Sequence, residues 1–361
     1  MRFSVRFFFL AIVSTVLIIG FASVAQDDDT AEACPALAEQ ALEAVGDNCD
    51  VMDRNSAWYG YNAVASSFLE PVDDTYFNDP AERTELRIVE TIRTAPMDVD
   101  LERWGVAVMN VQANVPNTLP GQAVTFILLG DAEIENDVAP EDITEVVDPI
   151  PVVTNVRANV RSGASTRNNV LGVADSGTEM MADAVNESHD WVRVVWREQV
   201  GWVSQSVIDF TDTLFDDLPV SDALTLTPMQ AFYFSTGIGA SMCNEAPDVI
   251  GIHSPEGLTV DLGMNGANIN VGSFITLKKI TLTQFILTIH QGHVVSETGD
   301  EGFSGQTMVG TLNEENGAFI EWLEVRDATE EELGLFDAFA PLLPDLGIDL
   351  PTQTSGGGTC G

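Results

Sequence analysis

The sequence predicts a mainly β, multi-domain protein in which a small β-barrel lies between an N-terminal helix-plus-β domain and a C-terminal β-sandwich or roll. Three observations lead to this prediction. A length of 361 residues suits two or three domains. The 29 glycines and 16 prolines provide many turns between short apolar segments. Apolar residues make up 45% of the chain, which is enough for real hydrophobic cores.

The chain is strongly acidic. Its 56 Asp and Glu residues outnumber 15 Lys and Arg residues, giving a formal net charge of −41. Nucleic-acid-binding proteins need basic surface and anionic lipids repel acidic proteins, so neither partner is expected. A solubilising acidic surface is the simplest interpretation. Weak capture of divalent cations or basic partners is the alternative, although no calcium-loop motif occurs. No cofactor is expected, since phosphate-binding loops and dinucleotide fingerprints are absent.

Residues 1–25 have the plan of a signal peptide. Arg2 and Arg6 form a positive start, residues 7–25 are apolar, and residues 23–25 offer a small-residue cleavage site. We therefore expect export and an extracytoplasmic protein, either secreted or on the cell surface. An uncleaved N-terminal anchor is the alternative, because an apolar run of about 19 residues can span a bilayer. Beyond such an anchor, no membrane contact is expected.

Four cysteines remain after export: Cys34, Cys49, Cys243 and Cys360. In an oxidising compartment an even number favours disulfides, and four cysteines allow three pairings. We favour Cys34–Cys49, which would tie a short helix to the loop after it, and Cys243–Cys360, which would tie the tail to the third region. No pair has C-x-x-C spacing, so a metal site is not expected.

The N-terminal region, residues 26–135, predicts a leading helix followed by strands. Apolar residues recur on one face of a helix over residues 35–45. The members of that face are Leu37, Ala41, Leu42 and Val45. A β-hairpin is predicted over residues 104–130. The acidic, proline-bearing residues 136–151 predict an extended linker to the next domain.

Residues 152–210 carry the most specific pattern. An Asn-Val-Arg-Ser-Gly strand end at residues 159–163 is followed by a Gly-Thr turn at residues 177–178. A Trp-led strand then begins at Trp191, and Gly-Trp-Val closes the segment at residues 201–203. This segment resembles the bacterial SH3 domain (SH3b), a small extracytoplasmic β-barrel. The resemblance implies recognition of cell-wall peptides or other extracellular polymers, and an extracellular protein is a further possible partner.

Four residues of this segment are candidate ligand contacts. Trp191 and Trp202 could form the aromatic wall of a shallow groove, with Asn159 and Arg161 as polar partners, because aromatic faces give large contact area at low entropic cost. The alternative is that both indoles pack the small barrel. Trp196 lies five residues after Trp191 in the same strand and therefore points to the other face.

Apolar and polar residues alternate again in short segments of residues 222–326, which predicts a β-rich domain. A Gly-x-Val step at Gly292 and Val294 gives this region a weak resemblance to the FecR-type extracytoplasmic β-domain. His290 and His293 lie three apart in a strand and should face opposite sides, so they are not expected to bind a metal together. Residues 327–361 predict a short helix, begun by a capping box at Thr329 and Glu332, and a flexible tail.

Taken together, these patterns predict an exported, non-catalytic binding protein. No nucleophile elbow occurs, and the four cysteines are better used as disulfides than as nucleophiles. Two alternatives stay open. The protein could be a structural or assembly scaffold of the cell envelope, or, with less support, an envelope hydrolase with an unrecognised site in residues 32–135.

Overall fold

The computed structural model describes residues 28–48, 55–112, 119, 122–143, 147–211, 218–221, 226–255 and 258–348. The predicted signal peptide, Cys49 and Cys360 lie outside these ranges. Within them, no helix combines the length and the apolar character that crossing a membrane requires.

The described ranges hold two α-helices and 22 strands. The helices are α1 (Asp28–Asn48) and α2 (Glu330–Gly334). The first group of strands is β1 (Ser56–Tyr61), β2 (Val64–Phe68), β3 (Arg83–Glu85), β4 (Val89–Thr94), β5 (Val106–Val111), β6 (Val124–Leu129) and β7 (Ala132–Asn136). The middle barrel contains β8 (Ile150–Thr154), β9 (Ala158–Arg161), β10 (Val170–Ala174), β11 (Glu179–Val185), β12 (Trp191–Trp196), β13 (Gln199–Ser204) and β14 (Ile208–Phe210). The last group is β15 (Ala231–Thr236), β16 (Val249–His253), β17 (Val260–Met264), β18 (Ala267–Lys279), β19 (Gln284–Ser296), β20 (Glu301–Phe303), β21 (Gln306–Leu312) and β22 (Phe319–Asp327). The mainly β prediction is confirmed, and β5 with β6 forms the predicted hairpin.

The strands before and after the middle barrel belong to one sheet, which we call the body sheet. Its main path runs β2-β4-β7-β15-β17-β18-β16-β6-β5-β1-β3; β19 pairs with β18, β20 and β21, and β22 pairs with β21. Strand β7 pairs antiparallel with β15, placing Ile134 opposite Phe234. Strand β6 pairs antiparallel with β16, placing Leu128 opposite Ile250. The prediction of two separate flanking domains, residues 26–135 and 222–326, is therefore wrong: both regions form a single body, and the barrel is inserted between its halves.

A shared hydrophobic core explains why the halves join. Phe126 from the first half meets Phe232 from the second edge to face, with ring centroids 5.3 Å apart, and both rings are fully buried. The same cluster includes Met109 and Leu287, again one from each half. Neither half could bury these side chains alone, so burial of apolar area favours the joined body.

Helix α1 packs one apolar face against the body. Its predicted face, Leu37, Ala41, Leu42 and Val45, is buried as expected. The helix is longer than the predicted residues 35–45, extending over Asp28–Asn48 with Pro35 inside it. This face contributes to a second core, which also holds Trp104 from the first half and Phe339 from the C-terminal segment.

The disulfide links the two halves of the body. Cys34 in α1 is bonded to Cys243, 209 residues later, and both residues are buried. The predicted pairings Cys34–Cys49 and Cys243–Cys360 are therefore wrong for the two described cysteines. Both predicted pairings kept each cysteine on its own side of the middle barrel in the sequence, whereas the common body brings α1 against the loop before β16.

The middle barrel is a separate seven-stranded sheet with strand order β10-β9-β13-β12-β11-β8-β14. Its core contains Val160, Val194, Trp196 and Val203. Gly201 is required beside this core, because a Cβ there would collide with the side chain of Val160. The predicted linker of residues 136–151 is shorter than expected, since β7 still includes Asn136 and β8 begins at Ile150.

The C-terminal segment begins with the predicted capping box. The Thr329 hydroxyl accepts a hydrogen bond from the Glu332 backbone N–H at 3.2 Å, and the Glu332 carboxylate accepts one from the Thr329 backbone N–H at 2.8 Å. Residues 335–338 form a 3₁₀ turn, after which Phe339 and Leu342 are fully buried in the second core. The segment is thus part of the body up to residue 348, and the predicted flexible tail, residues 351–361, lies outside the described ranges.

Candidate ligand-binding site

Strand register brings the four predicted contact residues onto one face of the middle barrel. Arg161 on β9 lies opposite Trp202 on β13. Trp202 in turn lies opposite Arg193 on β12. Because side chains alternate along a strand, Asn159 shares the face of Arg161, and Trp191 shares that of Arg193. Trp196 points the other way, into the barrel core, as the sequence predicts.

Both candidate indoles are buried on this face. Trp191 is 8% exposed and Trp202 is 6% exposed, so neither presents a broad ring surface to solvent. The geometry favours the packing role, which was the alternative interpretation of these residues. Ligand contact by Trp191 and Trp202 stays a prediction.

A buried ion pair that the sequence did not predict lies next to both indoles. Its arginine, Arg193, follows Trp191 by two residues on β12 and lies opposite Trp202 on β13. Arg193 is 1% exposed and donates a hydrogen bond from Nη1 to the Asp183 carboxylate, which is 5% exposed. Burial lowers the pKa of Arg193, and the charge of Asp183 opposes that shift. Arg193 follows Trp191 by two residues in an alternating strand, so its position beside the indole was readable from the sequence. Its burial was not, because arginine is seldom buried.

The accessible part of this surface is a small patch on the edge strand β10 and its neighbour β9, which we call the β9–β10 face. It consists of Asn159 and Arg161 on β9 and their register partners Val173 and Val170 on β10. Asn159 is exposed and Arg161 is half-buried, while Val170 and Val173 are 48% and 38% exposed. Strand β10 ends the strand order of the barrel. The face therefore offers a guanidinium, an amide and two apolar side chains together.

An ordered loop, residues 162–169, borders the β9–β10 face. Arg161 Nη1 donates to the backbone carbonyl of Asn168 at 2.9 Å, and the Ser162 N–H donates to the Asn169 carbonyl at 2.9 Å. The Arg167 N–H donates to Ser165 Oγ at 3.2 Å. These bonds order the loop, which also carries the exposed Arg167. Arg161 thus lies beside the two valines, and a second arginine lies in the bordering loop.

Comparison with known proteins identifies this barrel. Residues 156–209 match the family model described as the bacterial SH3 domain. These residues form a bacterial SH3 domain. The match confirms the resemblance stated for residues 152–210, whereas the FecR-type resemblance of residues 222–326 stays a prediction.

The SH3 domain is the part of the chain to which the comparisons give a name. No curated protein matches the chain. The solved structure of NlpC2 from Trichomonas vaginalis is 16% identical to it, over 34% of this chain and 44% of that one, with a TM-score of 0.18. A TM-score at that level carries no argument about fold or activity, and the chain spans less than half of that protein.

The body carries a cleft away from the SH3 domain. The cleft encloses about 1050 Å³ between α1, the loop that holds Cys243 and the C-terminal segment. Its lining includes several carboxylates, among them Glu39, Glu245 and Asp345, and Lys278 supplies a basic group. Within the described part of the chain, no three His, Cys, Asp or Glu side chains are grouped closely enough to hold a metal ion.

Two histidines in the body lie under the C-terminal segment. His290 lies with Nε2 2.9 Å from Thr276 Oγ1 and its ring centroid 5.5 Å from that of Phe336. The rings of His253 and Phe274 have centroids 6.4 Å apart. Burial lowers the pKa of each histidine to about 4. Both side chains are therefore neutral at neutral pH; both pack against Phe274, and His290 also packs against Phe336 of the C-terminal segment.

Proposed function

We propose that the protein is an extracytoplasmic, non-catalytic binding protein whose SH3 domain recognises a cell-wall or other extracellular ligand through the β9–β10 face. The observation that carries this proposal is the combination of exposed Asn159, Val170 and Val173 with the half-buried Arg161 on a bacterial SH3 domain. The buried Cys34–Cys243 disulfide supports a location outside the reducing cytoplasm.

The chemistry of the face favours binding over catalysis. An amide, a guanidinium and two branched apolar side chains can hydrogen-bond and pack against a ligand. None of these groups is a nucleophile or a general base near neutral pH. The insertion of the domain between two halves of the body is compatible with this role, because both ends of the domain connect to the body.

Co-sedimentation with purified cell walls tests the proposal. The wild type should sediment with the walls, and Val170→Ser with Asn159→Ala should release it, because these changes remove exposed contacts without opening a core. Leu323→Ser is the matched control, since Leu323 lies in the body and is 49% exposed against 48% for Val170. Equal retention of the face variant and the control would refute binding through this face.

A zymogram on peptidoglycan separates binding from hydrolysis. We expect no cleared band from the purified, disulfide-bonded protein. A cleared band that persists after the β9–β10 face is altered would assign an activity to the body and overturn the non-catalytic proposal. If the walls fail to bind the protein but cross-linking joins it to other envelope proteins, the scaffold alternative replaces the binding proposal.

A further inference from the structure

We propose that the β9–β10 face binds an anionic group, a carboxylate or a phosphate, carried on an otherwise uncharged polymer strand. This inference rests on the proposed function of the SH3 domain and names the chemistry of its ligand. Its starting point is the contrast between the domain and the chain. Residues 156–209 hold five arginines against seven Asp and Glu residues, whereas the whole chain has 15 basic against 56 acidic residues.

The arginines are not spread evenly within the SH3 domain. Arg157, Arg161 and Arg167 fall within eleven consecutive residues, and no Asp or Glu occurs from residue 149 to residue 174. Asp175, just after this stretch, lies 3.7 Å from Arg157 and is 89% exposed. The Asp183 charge is compensated by Arg193 beneath the surface. The segment that contains β9 and the start of β10 is thus cationic within an acidic protein.

The geometry suits a carboxylate or a phosphate. A guanidinium presents several donors in a planar fork that matches the oxygens of both groups. Only one Arg161 donor, on Nη1, is used by Asn168. The loop that borders the face carries a second, exposed arginine, Arg167. Val170 and Val173 then provide apolar contact for the uncharged part of a strand.

The net charge of the chain decides what kind of polymer can approach. Charges separated by more than about 8 Å are largely screened at physiological ionic strength, so a thin strand that touches only the β9–β10 face meets mainly the local arginines. A densely charged polyanion or a second copy of this chain brings many negative charges toward the acidic body and is repelled. A sparsely charged strand is therefore the ligand that the observations favour.

Defined polymers test the inference. Biolayer interferometry would compare the full-length protein on lightly carboxymethylated dextran, lightly phosphorylated dextran and plain dextran. Binding to at least one anionic dextran and not to plain dextran is expected, and the two anionic arms separate carboxylate from phosphate. Arg161→Gln with Arg167→Gln should weaken binding tenfold or more, because each charged hydrogen bond contributes about a factor of ten. Equal binding to plain dextran would overturn the inference.

Matched variants guard against general charge effects. Arg87→Gln with Arg103→Gln makes the same charge change on exposed residues of the body and should leave binding within twofold. Arg167→Gln alone keeps the bond from Arg161 to Asn168 and should still weaken binding at least threefold. A loss that is equal in the body variant and the face variant would refute the proposed face. Self-association that disappears in the face variant would assign the face to a second copy instead.

The outcome separates this inference from the proposed function. If cell walls bind the wild type and the Arg161→Gln, Arg167→Gln variant equally, the anionic ligand is excluded while wall binding stands. If the protein binds an anionic dextran but not walls, the ligand chemistry stands while the wall assignment fails.

Discussion

Replacing Cys34 and Cys243 with alanine should destabilise the body strongly and leave the SH3 domain unchanged. The disulfide closes a loop with a sequence separation of 209 residues. The chain-entropy relation for such a loop gives about 5 kcal/mol at 25 °C, which sets the upper limit of the expected loss in unfolding free energy. Alanine is preferred to serine because both positions are 2% exposed and a buried hydroxyl would add a separate cost.

Urea unfolding monitored by hydrogen-exchange mass spectrometry reports separately on the body and on the SH3 domain. Peptides from α1 and from β16 should lose protection at a lower urea concentration in the double-alanine variant than in the wild type. Peptides from β12 and β13 should lose protection at the same concentration in both proteins, because the SH3 domain has its own core. The SH3 peptides therefore serve as an internal control.

Cys49→Ala with Cys360→Ala is the matched control for removal of two cysteines. This variant should keep the wild-type midpoint of the body. The reasoning is refuted if the control loses as much stability as the Cys34, Cys243 variant, or if a non-reducing peptide map joins Cys34 to Cys49. It is also refuted if removal of both described cysteines leaves the body midpoint unchanged.

Three further changes test the fold. Asp183→Ala should destabilise the SH3 domain by about 3–5 kcal/mol, because it leaves the buried charge of Arg193 uncompensated; chemical unfolding measures this loss. The free energy of unfolding of the body should be highest above pH 6.5 and should fall by up to about 2 kcal/mol per histidine by pH 5. The reason is that His253 and His290 bind protons readily in the unfolded chain, whereas their pKa values in the folded body are about 4. Thermal melts recorded across this pH range measure the loss. Glu332→Gln should lower the free energy of unfolding by about 2 kcal/mol at pH 7, because the bond from Arg326 and the other bonds to the carboxylate lower the pKa of Glu332 to about 2. The difference in stability from the wild type should disappear as the pH falls from 4.5 toward 2.

Each of these changes has a control. Asp183→Ala combined with Arg193→Met should recover most of the lost stability, and no recovery would contradict a charge effect. His189→Asn removes a histidine on an exposed turn of the SH3 domain, so the pH dependence of the body should persist; its loss would rule out the buried pair as the cause. Glu331→Gln alters an exposed neighbour in α2, and a cost equal to that of Glu332→Gln would refute the role of the capping box.

The features of this fold that were predictable from the sequence are those whose signals come from residues close together in the chain. The apolar face of α1 follows from the helical repeat, and the capping box at Thr329 follows from two residues three positions apart. The SH3 domain was recognisable because its turns and its Trp-led strand occur in a fixed order over about fifty residues. Each of these signals depends on residues that are close in the chain.

The partners of the strands were not predictable. The apolar run of β6 shows that this strand is buried, but it does not say that β16, some 120 residues later, lies beside it. The same gap explains the wrong disulfide pairings, since Cys34 was joined to a near neighbour in sequence. At the candidate site, strand alternation predicted which residues share a face, but not that Trp191 and Trp202 would be buried there.

The attachment of the SH3 domain has a mechanical consequence. The chain leaves the body at the end of β7 and returns at the start of β15, and these adjacent antiparallel strands place Asn136 opposite Phe232. Tension on a tethered ligand would therefore pull both strands in the same direction. The neighbouring strands β4 and β17 would resist this load in shear, with several hydrogen bonds strained at once instead of opened one by one. The SH3 domain is therefore attached to the body through two polypeptide connections. Cleavage of the peptide backbone in either one would leave the domain attached through a single strand.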